Sequence, residues 1–134
     1  MIIRRENMTG RDIFERALDL CALRGASDSL PDDVGDLESR AVGLLNTLAG
    51  EYHALDERLF KTERRMVFLN GLEETVDMHN GICSAVLPYR LASLLIAEED
   101  KELYTVLQYH ANDAANRLLK DGTARRHYIV EVYE

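Results

Sequence analysis

The chain reads as all-α: a small bundle of about four helices, with a short extended or hairpin segment and a strand-like tail. Three observations predict this. Apolar residues recur at spacings of three and four in four separate stretches. Each stretch is bounded by residues suited to helix ends. Strand-like alternation of β-branched and aromatic residues is clearest in the C-terminal tail, which has few partners for a sheet. With 134 residues, 46% of them apolar and 30% charged, the chain suits one globular domain over 1–134 rather than a disordered segment.

Residues 1–8 read as a flexible arm. The first helix spans about 9–24. Thr9 is its N-cap and Asp12 completes a capping-box pair, while Met8 and Ile13 can close a hydrophobic staple. Ile13, Phe14, Ala17, Leu20 and Cys21 form its buried stripe, and Arg24-Gly25 ends it. Residues 26–35, ASDSLPDDVG, are a polar linker. The second helix spans about 36–58 from a cap at Asp36. Its stripe runs Leu37, Ala41, Leu44, Leu45, Leu48, Tyr52, Leu55 and Leu59, and Gly43 and Gly50 weaken it by roughly 1 kcal/mol each.

Residues 60–80 are the least regular. Met66-Val67-Phe68-Leu69 is an apolar run, Asn70-Gly71 suits a tight turn, and 72–78 turns extended, so a hairpin or short extended segment is expected near 66–78. The third helix spans about 82–98 with Leu87, Leu91, Leu94 and Leu95 on one face. Pro88 lacks the N–H that would bond to Ser84, so either the helix starts near Leu87 with Pro88 in its first turn or, the favoured reading, it runs from about Ile82 with a kink at Pro88. Glu98-Glu99-Asp100 makes an acidic turn with Asp100 as the next N-cap and Glu102 in the first turn. The fourth helix spans about 101–120 on Leu103, Leu107, Ala111, Ala114 and Leu118, and Asp121-Gly122 stops it. Residues 121–134 then form an extended tail with a strand over 127–133. That strand can pair with 66–78 or with a neighbouring subunit, so Tyr128, Ile129, Val130, Val132 and Tyr133 are candidate protein-interface residues.

Charge limits the partners. The net charge of −8 argues against a DNA-wrapping or sequence-specific nucleic-acid protein, which needs a surplus of bases on one face. Residues 31–60 hold seven acids against two bases and residues 91–120 five against three. Arg4-Arg5, Arg64-Arg65 and Arg125-Arg126 are the tight basic pairs, and the surrounding acidity suits them to solvated or ion-paired surface. No apolar run reaches the ~20 residues that span a bilayer, no secretory leader is visible, and Cys21 and Cys83 fit reduced thiols in a cytoplasmic setting.

Reactive constellations are sparse. His79 and Cys83, four apart with Asp77 nearby, lack a fourth ligand, and Cys83 belongs to an apolar pattern. His53 with Asp56-Glu57 has the groups for acid–base work but equally for helix surface pairs. His110 falls on the fourth helix's apolar stripe, as a core or interface histidine. Ser27 and Ser29 lie in a linker without the strand–turn–helix context of a nucleophile. No phosphate-cradling glycine motif is present. The expectation is therefore a protein that is not an enzyme, with no catalytic, metal or cofactor-binding residue and no cofactor.

Leu87-Pro88-Tyr89-Arg90-Leu91-Ala92-Ser93-Leu94-Leu95, followed by Glu98-Glu99-Asp100 and Glu102-Leu103-Tyr104, resembles the head–tail connector, or head-completion adaptor, proteins of tailed bacteriophages and prophages. Thr9-Gly10-Arg11-Asp12-Ile13-Phe14-Glu15-Arg16-Ala17-Leu18 is similar to their first helix, and Ile129-Val130-Glu131-Val132-Tyr133 to their terminal segment. Arg90 and Lys101 depart from the small residue and the proline common at those places, and 60–78 has no counterpart. The resemblance implies a non-catalytic structural adaptor that assembles as a homo-oligomeric ring on the portal protein, contacts other connector or tail proteins and extends the DNA channel. It would be assembled in a bacterial host's cytoplasm and carried in the virion. An acidic bore would suit DNA that slides without sticking. Two alternatives stand beside it: a small helical interaction or regulatory protein acting as a cytoplasmic homodimer, and a small hydrolase or metal protein built on His53, His79 and His110.

Overall fold

The computed structural model describes residues 8–21 and 34–133, with side-chain surroundings over 8–21 and 36–120. The arm 1–7, the linker 22–33 with Ser27 and Ser29, and the helix stop at Arg24-Gly25 lie outside the described residues. The described chain is all-α, with no strand among its described residues. It consists of α1 (Gly10–Leu20), α2 (Val34–Glu51), α3 (His53–Phe60), a π-turn (Ile82–Val86), α4 (Leu87–Ile96) and α5 (Lys101–Tyr133).

The α4–α5 hairpin forms the centre, with α1 and α2 laid against α4. Ile13, Leu48, Val76, Ile82, Leu87 and Leu91 are among its fully buried side chains. Each aliphatic side chain taken from water in this way stabilises by roughly 1.5–3 kcal/mol before entropy is counted. The acidic turn caps α5 as expected, with the Leu103 N–H donating to Asp100 Oδ1 at 3.0 Å.

At α1 the capping box forms: the Asp12 N–H donates to Thr9 Oγ1 at 3.1 Å and the Thr9 N–H to Asp12 Oδ2 at 3.0 Å. A helix start leaves its first N–H groups unpaired. Here the 66–78 segment completes them. The Gly10 N–H donates to the Glu74 carbonyl at 3.0 Å and the Arg11 N–H to the Leu72 carbonyl at 2.7 Å, while the Val76 N–H donates to the Met8 carbonyl at 2.8 Å. Of the hairpin or short extended segment expected there, the hairpin does not form; the segment is irregular, with one antiparallel bridge, Thr9 to Thr75. Its alternating apolar residues have a helix end and Asn46 as partners instead of another strand. Asn46 accepts from the Leu69 N–H at 2.6 Å and donates to the Leu69 carbonyl at 3.0 Å.

The predicted 36–58 helix is two helices. The chain bends at Tyr52 (φ −100°, ψ 9°), two residues after Gly50, although the Tyr52 N–H still reaches the Leu48 carbonyl. Helical structure on the 82–98 segment accommodates Pro88 by a change of register. The π-turn carries a Leu87 N–H to Ile82 carbonyl bond, and Pro88 then sits in the first turn of α4. The Ser84 carbonyl, which proline cannot satisfy, accepts instead from Arg16 Nη1 at 3.2 Å.

The end of the chain departs most from expectation. α5 does not stop at Asp121-Gly122, and 127–133 is helix rather than strand. β-propensity records how a residue packs on a sheet, and no sheet is present among the described residues. Helix satisfies the same backbone groups locally, at roughly 1 kcal/mol for Gly122.

Candidate functional site

The densest gathering of ionisable groups lies where α3 meets the irregular 61–80 segment. Helix α3 ends at Lys61 in the left-handed conformation (φ 59°, ψ 37°), where the Lys61 N–H returns to the Glu57 carbonyl. This reversal carries Arg64 back over the helix it has just left. Arg64 Nε donates to Asp56 Oδ2 at 3.0 Å. Its Nη2 donates to the Asp77 carbonyl at 3.1 Å and to Asp77 Oδ1 at 3.3 Å. The guanidinium carbon sits 4.0 Å above the Phe60 ring centroid, a cation–π geometry.

Asp56 is the most deeply set charge among the described residues, its side chain 2% exposed. A carboxylate there requires a counter-charge and hydrogen bonds. Arg64 supplies the first. The His79 backbone N–H supplies a further bond, donating to Asp56 Oδ1 at 2.7 Å. The Arg64 pKa is raised chiefly by the Asp56 hydrogen bond, against the opposing effect of burial. A carboxylate held by both oxygens in this way is a fastening between α3, Arg64 and the 77–79 turn.

The three histidines do not converge. His53 Nε2 lies 3.1 Å from Glu57 Oε2, an i,i+4 pair on α3 that excludes Asp56. The His79 Nδ1 accepts the Gly81 N–H at 2.9 Å, and its ring meets Phe60 edge-on at 5.4 Å between centroids. His110 is exposed rather than in the core, flanked by the rings of Tyr89 at 5.4 Å and Tyr109 at 5.8 Å. Phe60, Arg64, Asp77, Met78, His79 and Asn80 line an open depression of about 480 Å³, whose charged groups are already paired with one another.

Cys83 does not join His79 as a ligand pair. Its Sγ is buried against the Val76 and Met78 carbonyls, both at 3.7 Å, and burial pushes the thiol up to about 12. Cys21 Sγ donates to the Ala92 carbonyl at 3.3 Å, and burial, with the Glu99 charge adding to it, pushes this thiol up to about 11. Thiols so raised are poor nucleophiles and poor metal ligands near neutral pH. Among the described residues no group of three or more His, Cys, Asp or Glu side chains is arranged to hold a metal ion.

The sequence places Arg64 and Arg65 on a solvated or ion-paired surface; Arg65 is exposed, and Arg64 is ion-paired, 21% exposed and the central cation of the site. Two further arginines have ion pairs that the sequence reading did not single out. Arg11 joins α1 to Glu38 at 3.2 Å and Glu73 at 2.6 Å. Arg90 joins α4 to Glu51 at 2.7 Å and to Gln108 Oε1 at 2.6 Å. No local spacing announces such pairs, since their partners lie 27 to 62 residues from Arg11 and 18 to 39 from Arg90. The interface candidates Tyr128, Ile129, Val130, Val132 and Tyr133 lie on the last turns of α5, and their side chains fall outside the described ones. The same holds for Arg125-Arg126, and Arg4-Arg5 lies outside the described residues. No protein-family model, curated protein or solved structure matches the chain.

Proposed function

We propose that the chain is a non-catalytic structural adaptor of a phage or prophage head–tail connector, assembling in several copies on a portal protein and extending its DNA channel. The observation that carries this reading is where the resembling segments fall. The segment 87–95, the acidic turn 98–100 and the start of α5 make up the central hairpin, and α1 lies against it. The stretches that resemble connector proteins thus supply the central hairpin and the helix packed on it, and α2 (Leu45, Leu48) with the unmatched 60–78 segment (Leu69, Leu72, Val76, Met78) completes the core. The paired state of Asp56, Arg64 and Asp77 also favours a scaffold over a reaction centre.

The terminal turns of α5 extend the adaptor reading. As helix, positions 128 and 132 share one line and 129 and 133 the next. A partner would then meet residues 128–133 as helix, in place of an added strand.

The test is mass measurement of the chain in solution, alone and mixed with the portal protein encoded beside its gene. Co-migration with the portal, in several copies per portal ring, is the expected result. A stable dimer that ignores the portal refutes the adaptor and leaves the homodimeric regulatory protein.

A further inference from the structure

Large apolar side chains are exposed in two places. At one, Phe60, Met66 and Phe68 are 43%, 56% and 69% exposed. Around them stand the exposed bases Arg58, Lys61 and Arg65, with Glu63 the one acid in 58–68 that is exposed. At the other, Val106 and Tyr109 are 48% and 65% exposed on α5. They follow on the exposed acids Glu98, Glu99, Asp100 and Glu102, which outnumber the one exposed base among them, Lys101. One surface is apolar and basic, the other apolar and acidic.

The two surfaces lie toward opposite ends of the molecule. Phe60 touches His79, and a Cβ built on neighbouring Gly81 would come within 2.6 Å of Leu118. Leu69 lies against Gly10 at the start of α1. The 60–69 segment is therefore at the level of Leu118 and of the α1 N-terminus. The acidic turn is at the far end of the hairpin, and at 1.5 Å per residue Val106 stands roughly 18 Å along α5 from Leu118.

Two unlike, complementary patches toward opposite ends of a subunit suit a contact between unlike surfaces of two copies, either head-to-tail or repeated across a two-fold axis. We propose that copies of this chain dock on one another through these surfaces, the Phe60–Phe68 patch of one copy seated on the Glu98–Tyr109 face of the next. The apolar side chains form the centre of the contact. Lys61 and Arg65 meet Glu99 and Glu102 at its rim, where charge governs encounter and register more than affinity. Closure of such a series into a ring rests on the adaptor reading above; the contact itself does not.

The experiment uses two variants of the full chain, Met66→Cys and Val106→Cys, one of them isotopically labelled. The native thiols are buried and slow to react, so a short bis-maleimide reports the introduced pair. Cross-links between 66 of one copy and 106 of another should exceed 66–66 and 106–106 links at least about tenfold in about 50 mM salt. Reversal by Glu99→Lys with Glu102→Lys, or by Lys61→Glu with Arg65→Glu, should cut that yield about tenfold, and mixing the two reversed chains should restore it. All four positions are exposed, and circular dichroism confirms that each variant is folded. Absence of mixed cross-links, dominance of like-with-like links, or indifference to both reversals overturns the contact. Portal binding without mixed cross-links overturns the contact while sparing the adaptor; mixed cross-linking without portal binding does the opposite.

Discussion

Replacing Arg64 by Met isolates the energetics of the site. The substitution keeps much of the side chain's length and apolar stem while removing the cation 3.0 Å from Asp56. The carboxylate, 2% exposed, then retains only the His79 N–H. Stranding one partner of a fully buried pair costs about 3–5 kcal/mol. Arg64 is itself 21% exposed, so water can enter from its side, and about 2–3 kcal/mol is the better expectation. Asp56→Asn keeps an acceptor for His79 and loses the charge, for about 1–2 kcal/mol. The double variant should cost less than the sum of the singles, by about 1–2 kcal/mol of coupling. Asp77→Ala, at a carboxylate 73% exposed, should change stability by under about 0.5 kcal/mol.

Urea unfolding followed by circular dichroism reads these values, since the chain has no tryptophan to report by fluorescence. At a slope near 2 kcal/mol per molar urea, Arg64→Met should lower the midpoint by about 1–1.5 M with the slope unchanged. An Arg64→Met midpoint within about 0.25 M of the parent, or strictly additive singles, would show that Asp56 is not held as argued.

The glycines separate by what surrounds them. Gly43 and Gly50 have open space where a Cβ would go, so each Gly→Ala change there should stabilise α2 by about 0.5–1 kcal/mol in the same urea assay. Gly81→Ala must displace Leu118 and crowd His79 Nδ1, and should destabilise by about 1–2 kcal/mol. Cys21 and Cys83 should resist iodoacetamide at pH 8 in the folded protein and react readily in denaturant, as a mass shift will show. Their folded pKa values, about 11 and about 12, lie above the ordinary 9.0, so the folded state holds its protons longer than the unfolded one. Their contribution to stability is whole below pH 9 and falls as pH rises through the window from 9 to about 12. Serine at both positions should flatten that alkaline loss.

Local rules carried the reading of the sequence where the determining contacts are local. The Thr9–Asp12 box and the Asp100 cap depend on residues three and four apart and stand as read; most of the α1 and α4 stripes is buried as read, with Leu20, Leu94 and, on α5, Leu103 half-buried and Leu18 and Ile96 added to the core. Pro88 was legible as a disturbance but not as a π-turn, because its resolution depends on Arg16, 68 residues from the Ser84 carbonyl it serves. For a related reason, the 66–78 segment lacks the hairpin expected as one of its forms. Its alternation of buried Val76 and Met78 with exposed Thr75 and Asp77 does resemble a strand, yet the donors that meet it belong to the end of α1. At 127–133 β-branched composition outweighed continuity with the helix before it, and continuity prevailed because no sheet is present among the described residues.

The site was less legible than the fold, and the arginines show why. Arg11, Arg64 and Arg90 each reach a carboxylate that the sequence gives no reason to associate with them. A guanidinium offers five donors in a rigid fork, so one side chain can tie two or three elements at once. In this chain such ties stand where the apolar stripes leave gaps: between α1, α2 and the 72–76 segment at Arg11, between α3 and the 77–79 turn at Arg64, and between α2, α4 and α5 at Arg90. A surplus of acid makes each tie easy to supply with partners. The same surplus, left unpaired at the 98–102 turn, is what gives the surface its direction, with apolar residues beside negative charge at one end and beside positive charge at the other. Internal cohesion and external polarity therefore come from one feature of the sequence, the uneven distribution of its bases among many acids.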